Sequence, residues 1–225
     1  MPTNAQGGVV NTRKGKRRRR RFKRKMDKRM AAIARVEIDK HTLGQESKHF
    51  DVPNALVPFS ISTVPAIQGL NAITTGTGAN ARVGDEVRPK GLQIRFRWDL
   101  GDATQLCRML LVVFKDQTTT PPVLSDVLEA AGAIENLYSP YKINGSKKYR
   151  VLHDQLLSAT AVTSENQYSL VTIGPKMLGK SAKWTDGTGT NHKSGGVYLM
   201  LMSDSSATPH PSFSFYSRYR YVDIA

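Results

Sequence analysis

Residues 92–100 read LQIRFRWDL, with Leu92, Ile94, Phe96, Trp98 and Leu100 alternating against Gln93, Arg95, Arg97 and Asp99. A period of two sends alternate side chains to opposite faces of an extended chain, so this stretch reads as a half-buried strand. Gly101-Asp102 then supplies a turn. Met109–Phe114 (MLLVVF) is apolar without alternation, the pattern of a central strand buried on both faces. Working outward, strands are expected at Glu46–Val52, Val57–Val64, Lys147–Ser158, Asn166–Ile173, Val197–Ser203 and Ser212–Asp223. In the last, Phe213, Phe215, Tyr219 and Tyr221 share a face. With 86–100 and 106–116, the set comes to about eight. One helix is expected among them, where Leu124, Val127, Leu128 and Ala131 recur at helical spacing behind Pro121-Pro122, with Gly132 near its end. Connections such as Asn71–Asn80 and Thr185–Gly196 are rich in Gly, Thr and Asn, and there is no internal repeat. About eight strands with long turn-rich connections indicate an all-β chain, a sandwich or a jelly roll, taken here as a single eight-stranded jelly-roll sandwich with short helices and a disordered basic N-terminal arm.

The arm is the other organising feature. Residues 13–29 read RKGKRRRRRFKRKMDKR, and residues 1–30 hold 13 Lys or Arg against one acid, Asp27. That is a net +12 of the chain's +15, leaving +3 for everything after residue 30. Charge this dense repels itself and cannot be buried, so it needs a polyanion in any compact setting. The candidate nucleic-acid-binding residues are Arg13, Lys14, Lys16, Arg17, Arg18, Arg19, Arg20, Arg21, Lys23, Arg24, Lys25, Lys28 and Arg29. Arginine forks contact phosphate and read charge, not sequence. Only Phe22 is interleaved, so base stacking is not indicated within the arm. A solvated tail and a nuclear-import signal are the other readings of such a run, and import and nucleic-acid binding can coexist. From Lys23 a helical period emerges, with Met26, Met30, Ile33 and Ala34 at i, i+4, i+7 and i+8. The organisation expected is an arm over 1–30, a helix and connection over 31–45, and a body over 46–225.

Several function classes fall away. No window approaches the ~18–20 apolar residues of a membrane span, and the first residues lack the apolar core of a secretory signal, so the chain is expected to act inside a cell, away from membranes. The single cysteine, Cys107, permits neither an intrachain disulfide nor a cysteine zinc cage. The five histidines, His41, His49, His153, His192 and His210, show no metal-ligand spacing. Residues 174–181, GPKMLGKS, satisfy the phosphate-loop pattern, and Tyr168–Ile173 supplies the preceding strand. The helix that should follow is missing, because Trp184-Thr185-Asp186-Gly187-Thr188-Gly189 is poor helix sequence. No cluster suited to catalysis survives, and the chain is not expected to be an enzyme. A basic nucleic-acid-binding module, of ribosomal or chromatin type, is one class to weigh; such proteins usually spread basic charge over the body.

An ordered set of short pieces carries a resemblance. They are Glu46-Ser47-Lys48-His49-Phe50, Arg82-Val83-Gly84-Asp85-Glu86-Val87-Arg88 and Phe114-Lys115-Asp116. Thr120-Pro121-Pro122-Val123-Leu124 with Asp126-Val127-Leu128, Tyr138-Ser139-Pro140 and Lys148-Tyr149-Arg150-Val151-Leu152-His153-Asp154 follow, and Tyr221-Val222-Asp223 closes the series. In order and spacing the chain resembles the satellite tobacco necrosis virus type of coat protein, as found also in small circular single-stranded DNA viruses. The match covers about residues 46–158 well and the rest loosely. The resemblance implies a capsid protein that assembles with itself into an icosahedral shell of about 60 copies, arms inside. Sixty arms at +12 would neutralise on the order of 700 phosphates directly. The implied partner is a single-stranded genome, DNA favoured over RNA, with host import receptors as a second partner of the arm. The implied location is the virion, with the host nucleus during assembly. No cofactor is required. The resemblance does imply structural calcium between subunits, held by the carbonyls of Val83 and Glu86, the carboxylate of Asp223, and Glu46 from a neighbouring copy. Calcium suits such a set because it takes six to eight hard oxygens in loose geometry.

Overall fold

The computed structural model describes residues 23–31, 33, 47–60, 65–99, 105–116, 121–129, 137–143, 145–158, 167–185, 190–204 and 211–224. The chain divides into two units, Met1–Glu46 and Ser47–Ala225. In the first, a helix (α1) covers residues 23–31, with residue 33 also helical. It lies within Lys23–Lys40, where the helical period places a helix, and begins ahead of the 31–45 span given to the helix and connection. Met26, Met30 and Ile33 keep the expected helical spacing and are all exposed.

The second unit holds ten strands: β1 (Lys48–Ser60), β2 (Ala66–Gly69), β3 (Glu86–Asp99), β4 (Leu106–Phe114), β5 (Tyr149–Ser158), β6 (Gln167–Ile173), β7 (Ala182–Trp184), β8 (His192–Ser194), β9 (Gly196–Ser203) and β10 (Ser212–Asp223). A single helical turn, α2, covers Pro175–Leu178. In the first sheet β10 lies between β1 and β3, while β6 and β7 share the far side of β3 and β8 pairs with β7. The second sheet runs β2-β9-β4-β5. All these pairings are antiparallel. With the short β7 and β8 set aside, the eight remaining strands run first-eighth-third-sixth in one sheet and second-seventh-fourth-fifth in the other. The fold is a jelly roll.

The alternation in β3 works as its period requires. Leu92, Ile94, Phe96 and Trp98 are buried between the sheets, and Gln93, Arg95, Arg97 and Asp99 face outward. Register with β10 sets Phe96 opposite Phe215 and Trp98 opposite Phe213. The rings of Phe96 and Phe213 stack with centroids 5.2 Å apart. Cys107, Met109, Leu111 and Val113 of β4 and Val197, Leu199 and Leu201 of β9 close this core from the other sheet. Each large apolar side chain so buried contributes about 1.5–3 kcal/mol.

Strands β4 and β9 are buried on both faces, which is why Met109–Phe114 shows no alternation. Their outward side chains Leu110, Val112, Phe114, Tyr198, Met200 and Met202 form a second apolar cluster with Leu124, Val127, Leu128, Leu137 and Tyr149. The buried Arg108 ties this cover down. Its guanidinium donates in a fork to Asp154, Nε–Oδ1 3.0 Å and Nη2–Oδ2 2.8 Å, while Nη1 donates to the carbonyls of Leu137 and Ser139, both at 2.9 Å. The outer face of the second sheet is therefore capped by the described residues of 121–129 and 137–143.

Three expectations need correction. The strands expected at Glu46–Val52 and Val57–Val64 are one strand over their described residues, β1, with an irregularity between Asn54 and Phe59. Pro53 does not break it because β1 is an edge strand, where a missing N–H can face away from the ladder. β2, β7 and β8 were not expected, and β8 lies within Thr185–Gly196, read as a connection; at three or four residues each they are too short to show a period. Over its described residues, 124–129, the expected helix is only a 3-10 turn, Leu124–Asp126, and Leu128 bridges to Tyr141 instead; Ala131 and Gly132 lie outside the described residues. Leu124, Val127 and Leu128 are buried because they cover the second sheet, a demand that a short turn meets as well as a helix.

Candidate nucleic-acid interface

Of the arm's cations, Arg13, Lys14, Lys16 and the run Arg17 to Arg21 lie outside the described residues. Lys23, Arg24, Lys25, Lys28 and Arg29 stand on α1, all exposed. At 3.6 residues per turn, Met26, Met30 and Ile33 share one side of this helix and the cations occupy the rest. The arrangement offers charge to a polyanion over most of its circumference.

The body adds a second basic surface, which comes from the polar half of the strand alternation. Lys90, Arg95 and Arg97 of β3 and Arg218 and Arg220 of β10 face out from the first sheet. Arg218 is pinned by Asp51 of β1, donating through Nε to Oδ1 at 2.9 Å and Nη2 to Oδ2 at 2.7 Å. Tyr216 also donates its hydroxyl to Asp51 and accepts from Arg218 Nη2 at 3.0 Å. The Arg218 hydrogen bond, helped by Tyr216 against partial burial, holds the Asp51 carboxyl below its ordinary 3.8. Arg97 pairs with Asp99 at 2.9 Å, whereas Arg95 makes no ion pair with any described residue. The sequence reading missed this surface. Its signal was present in the polar alternates Arg95, Arg97, Arg218 and Arg220, but only strand register brings them together.

The residues implied for calcium do converge. Asp223 Oδ1 accepts the Val83 N–H at 3.3 Å, and the Glu86 carbonyl accepts the Ile224 N–H at 3.2 Å. Glu46 lies outside the described residues. Asp223 Oδ2, however, holds the ammonium of Lys48 at 2.9 Å, and that ammonium also donates to the Ala81 carbonyl at 3.1 Å. Lys48 is only 9 % exposed. The Glu86 carboxylate is held by Lys183 at 3.1 Å. A hydrogen bond from Ser181, then Lys183, keeps its carboxyl below the usual range against some burial. Nearby, the fully buried Arg82 donates to the Gly84 carbonyl at 2.5 Å and to Asp85 at 2.8 Å. Both Asp223 oxygens and the Glu86 carbonyl are thus already committed to protein donors. Within one subunit the Lys48 ammonium supplies the positive charge at this corner.

The other features singled out in the sequence are structural. Residues 174–181 contain the single turn α2, and Lys180-Ser181 leads into β7, not into a helix. A strand follows Lys180-Ser181 in place of the helix whose amino end would hold a phosphate. Burial pushes the Cys107 thiol up to about 11, which removes it as a thiolate nucleophile. His192 is buried against Trp184, ring centroids 4.9 Å apart, and donates from Nε2 to the Asn71 carbonyl at 3.0 Å. Among the described residues no three His, Cys, Asp or Glu side chains gather as metal ligands. Nor, among them, is any helix long and apolar enough to cross a membrane.

No family model matches the chain, and no curated protein matches it. Among solved structures it is similar to a chain of Desmodium yellow mottle tymovirus at 12 % identity and TM-score 0.40, over 80 % of this chain and 88 % of that one. A turnip yellow mosaic virus chain matches at 9 % identity and TM-score 0.39, over 80 % and 93 %. A tobacco necrosis virus chain matches at 13 % identity and TM-score 0.32, over 80 % and 95 %. At these scores the likenesses carry no argument; the jelly roll rests on the strand order itself.

Proposed function

We propose that this chain is a capsid protein that assembles with itself into a closed shell and packages a single-stranded genome through its basic arm. The observation that carries the reading is the division of charge and fold. A jelly-roll body follows an arm of net +12, and the residues beyond that arm sum to only +3. A nearly neutral body can pack against copies of itself, while concentrated cationic charge condenses a polyanion. The two outer faces of the sandwich support the same reading. One is covered by residues 121–129 and 137–143, and the other is studded with arginine. The resemblance in the 46–158 region adds a shell of about 60 copies, a genome of DNA in preference to RNA, and a virion as the protein's location. The arm's arginine run would also serve import receptors before assembly, taking the protein to the host nucleus. No catalytic role is proposed.

At the Val83–Glu86–Asp223 corner, we propose that Lys48 supplies the cation that the resemblance gives to calcium. The packaging reading is tested by replacing Arg17–Arg21 with glutamine in the full chain and measuring nuclease-protected nucleic acid per particle. The parent should carry protected nucleic acid and the variant much less, with binding that weakens steeply as salt rises. Equal protected content in the two would overturn the arm's role.

A further inference from the structure

The outward face of the first sheet carries more than charge. Arg95 on the central strand β3 has Tyr216 of β10 and Leu170 of β6 as register partners, and Arg97 has Ser214 and Tyr168. Arg95, Arg97, Tyr168, Ser214 and Tyr216 line an open groove of about 270 Å³. That is near the lower end, ~300 Å³, of small-ligand sites. Tyr168 is 75 % exposed, yet it is not a loose side chain, because its hydroxyl bonds to the Arg97 guanidinium that Asp99 also holds. Its ring is largely exposed beside that guanidinium. Tyr216 is likewise fixed, through Asp51 and Arg218. Between the two rings stands Arg95, without an ion pair among the described residues.

This combination selects a ligand. The Arg95 guanidinium, without an ion pair among the described residues, and the surplus of arginine on the face call for an anion, and a forked donor suits phosphate. A largely exposed aromatic ring suits a nucleobase, since every base has a π-face to stack. Carboxylates would answer the charge but leave the rings unused. We propose that this groove binds single-stranded nucleic acid, with a base stacked on Tyr168 and an adjacent phosphate on Arg95. The proposal rests on the packaging function above and extends it, since the arm reads charge alone while the body grips bases.

The test uses the full chain and two labelled strands of equal length, an oligothymidylate and an abasic deoxyribose-phosphate strand. The arm should treat them alike, so any preference reports the groove. The parent should bind the base-bearing strand about fivefold more tightly or better, the worth of one stacked base. Tyr168→Ala should bring the ratio close to one without changing the affinity for the abasic strand. Arg95→Gln should weaken binding to both strands, and Tyr168→Phe should keep the preference. Equal affinities in the parent, or a preference that survives Tyr168→Ala, would overturn the groove and leave the arm's role standing. Competition by polyglutamate as effective as by the oligothymidylate would reassign the face to an acidic protein. Failure to bind either strand would bring down the packaging function itself.

Discussion

At the corner where β1 begins and β10 ends, the Lys48 ammonium bridges Asp223 and the Ala81 carbonyl, joining the two ends of the body with a hydrogen-bonded charge. Removing one partner of such a pair leaves the other nearly buried and unmatched. Lys48→Met should therefore cost roughly 2–3 kcal/mol, less than the ~3–5 of a fully buried pair because Asp223 keeps some contact with water. Chelator should leave the melting temperature of the parent unchanged, and a drop on chelation would restore calcium to this corner. His192 supplies a second test. Burial, aided by the nearby Arg82 charge and only partly opposed by the Asn71 hydrogen bond, pushes its imidazole from 6.5 down to about 4. The unfolded chain takes up this proton near 6.5 and the folded chain only near 4, so the group's contribution is complete above 6.5 and falls away as pH drops towards 4. A melting series from pH 7 to pH 4 should show that decline, and His192→Phe should flatten its His192-dependent part. An unchanged slope in the variant would place the titration elsewhere.

Elements were legible where one physical demand set the pattern. Strands β3 and β10 each separate a core from an open face, and their period of two survives in Leu92–Asp99 and Phe213–Tyr221. β4 must satisfy two apolar faces, and it reads as an unbroken run. Legibility failed where tertiary context decided. Pro53 reads as a break, but an edge strand absorbs it. Leu124, Val127 and Leu128 are spaced for a helix but cover a sheet from a 3-10 turn. The arm's charge was plain in the sequence. The Tyr168 groove was not, because its side chains come from β3, β6 and β10, and only register unites them. The phosphate-loop pattern shows the reverse case, a local match that its surroundings refuse. Lys180→Ala should therefore assemble and package as the parent does, and ATP hydrolysis lost in that variant would contradict this.

For the whole molecule, the sandwich is two-faced. Arg108 and the second apolar cluster seal the outer side of the β2-β9-β4-β5 sheet, while the β1-β10-β3-β6 face stays open and basic. A body with one sealed and one cationic face, following a +12 arm, suits a wall with a polyanion on one side. A closed shell needs each copy to meet its neighbours through the same set of contacts, and a near-neutral body lets them approach. The most direct test is the mass of the purified full-length protein by size-exclusion chromatography with light scattering. The account predicts a homogeneous megadalton particle of this chain alone with bound nucleic acid; a monomer or dimer that persists at high concentration and low salt would contradict it.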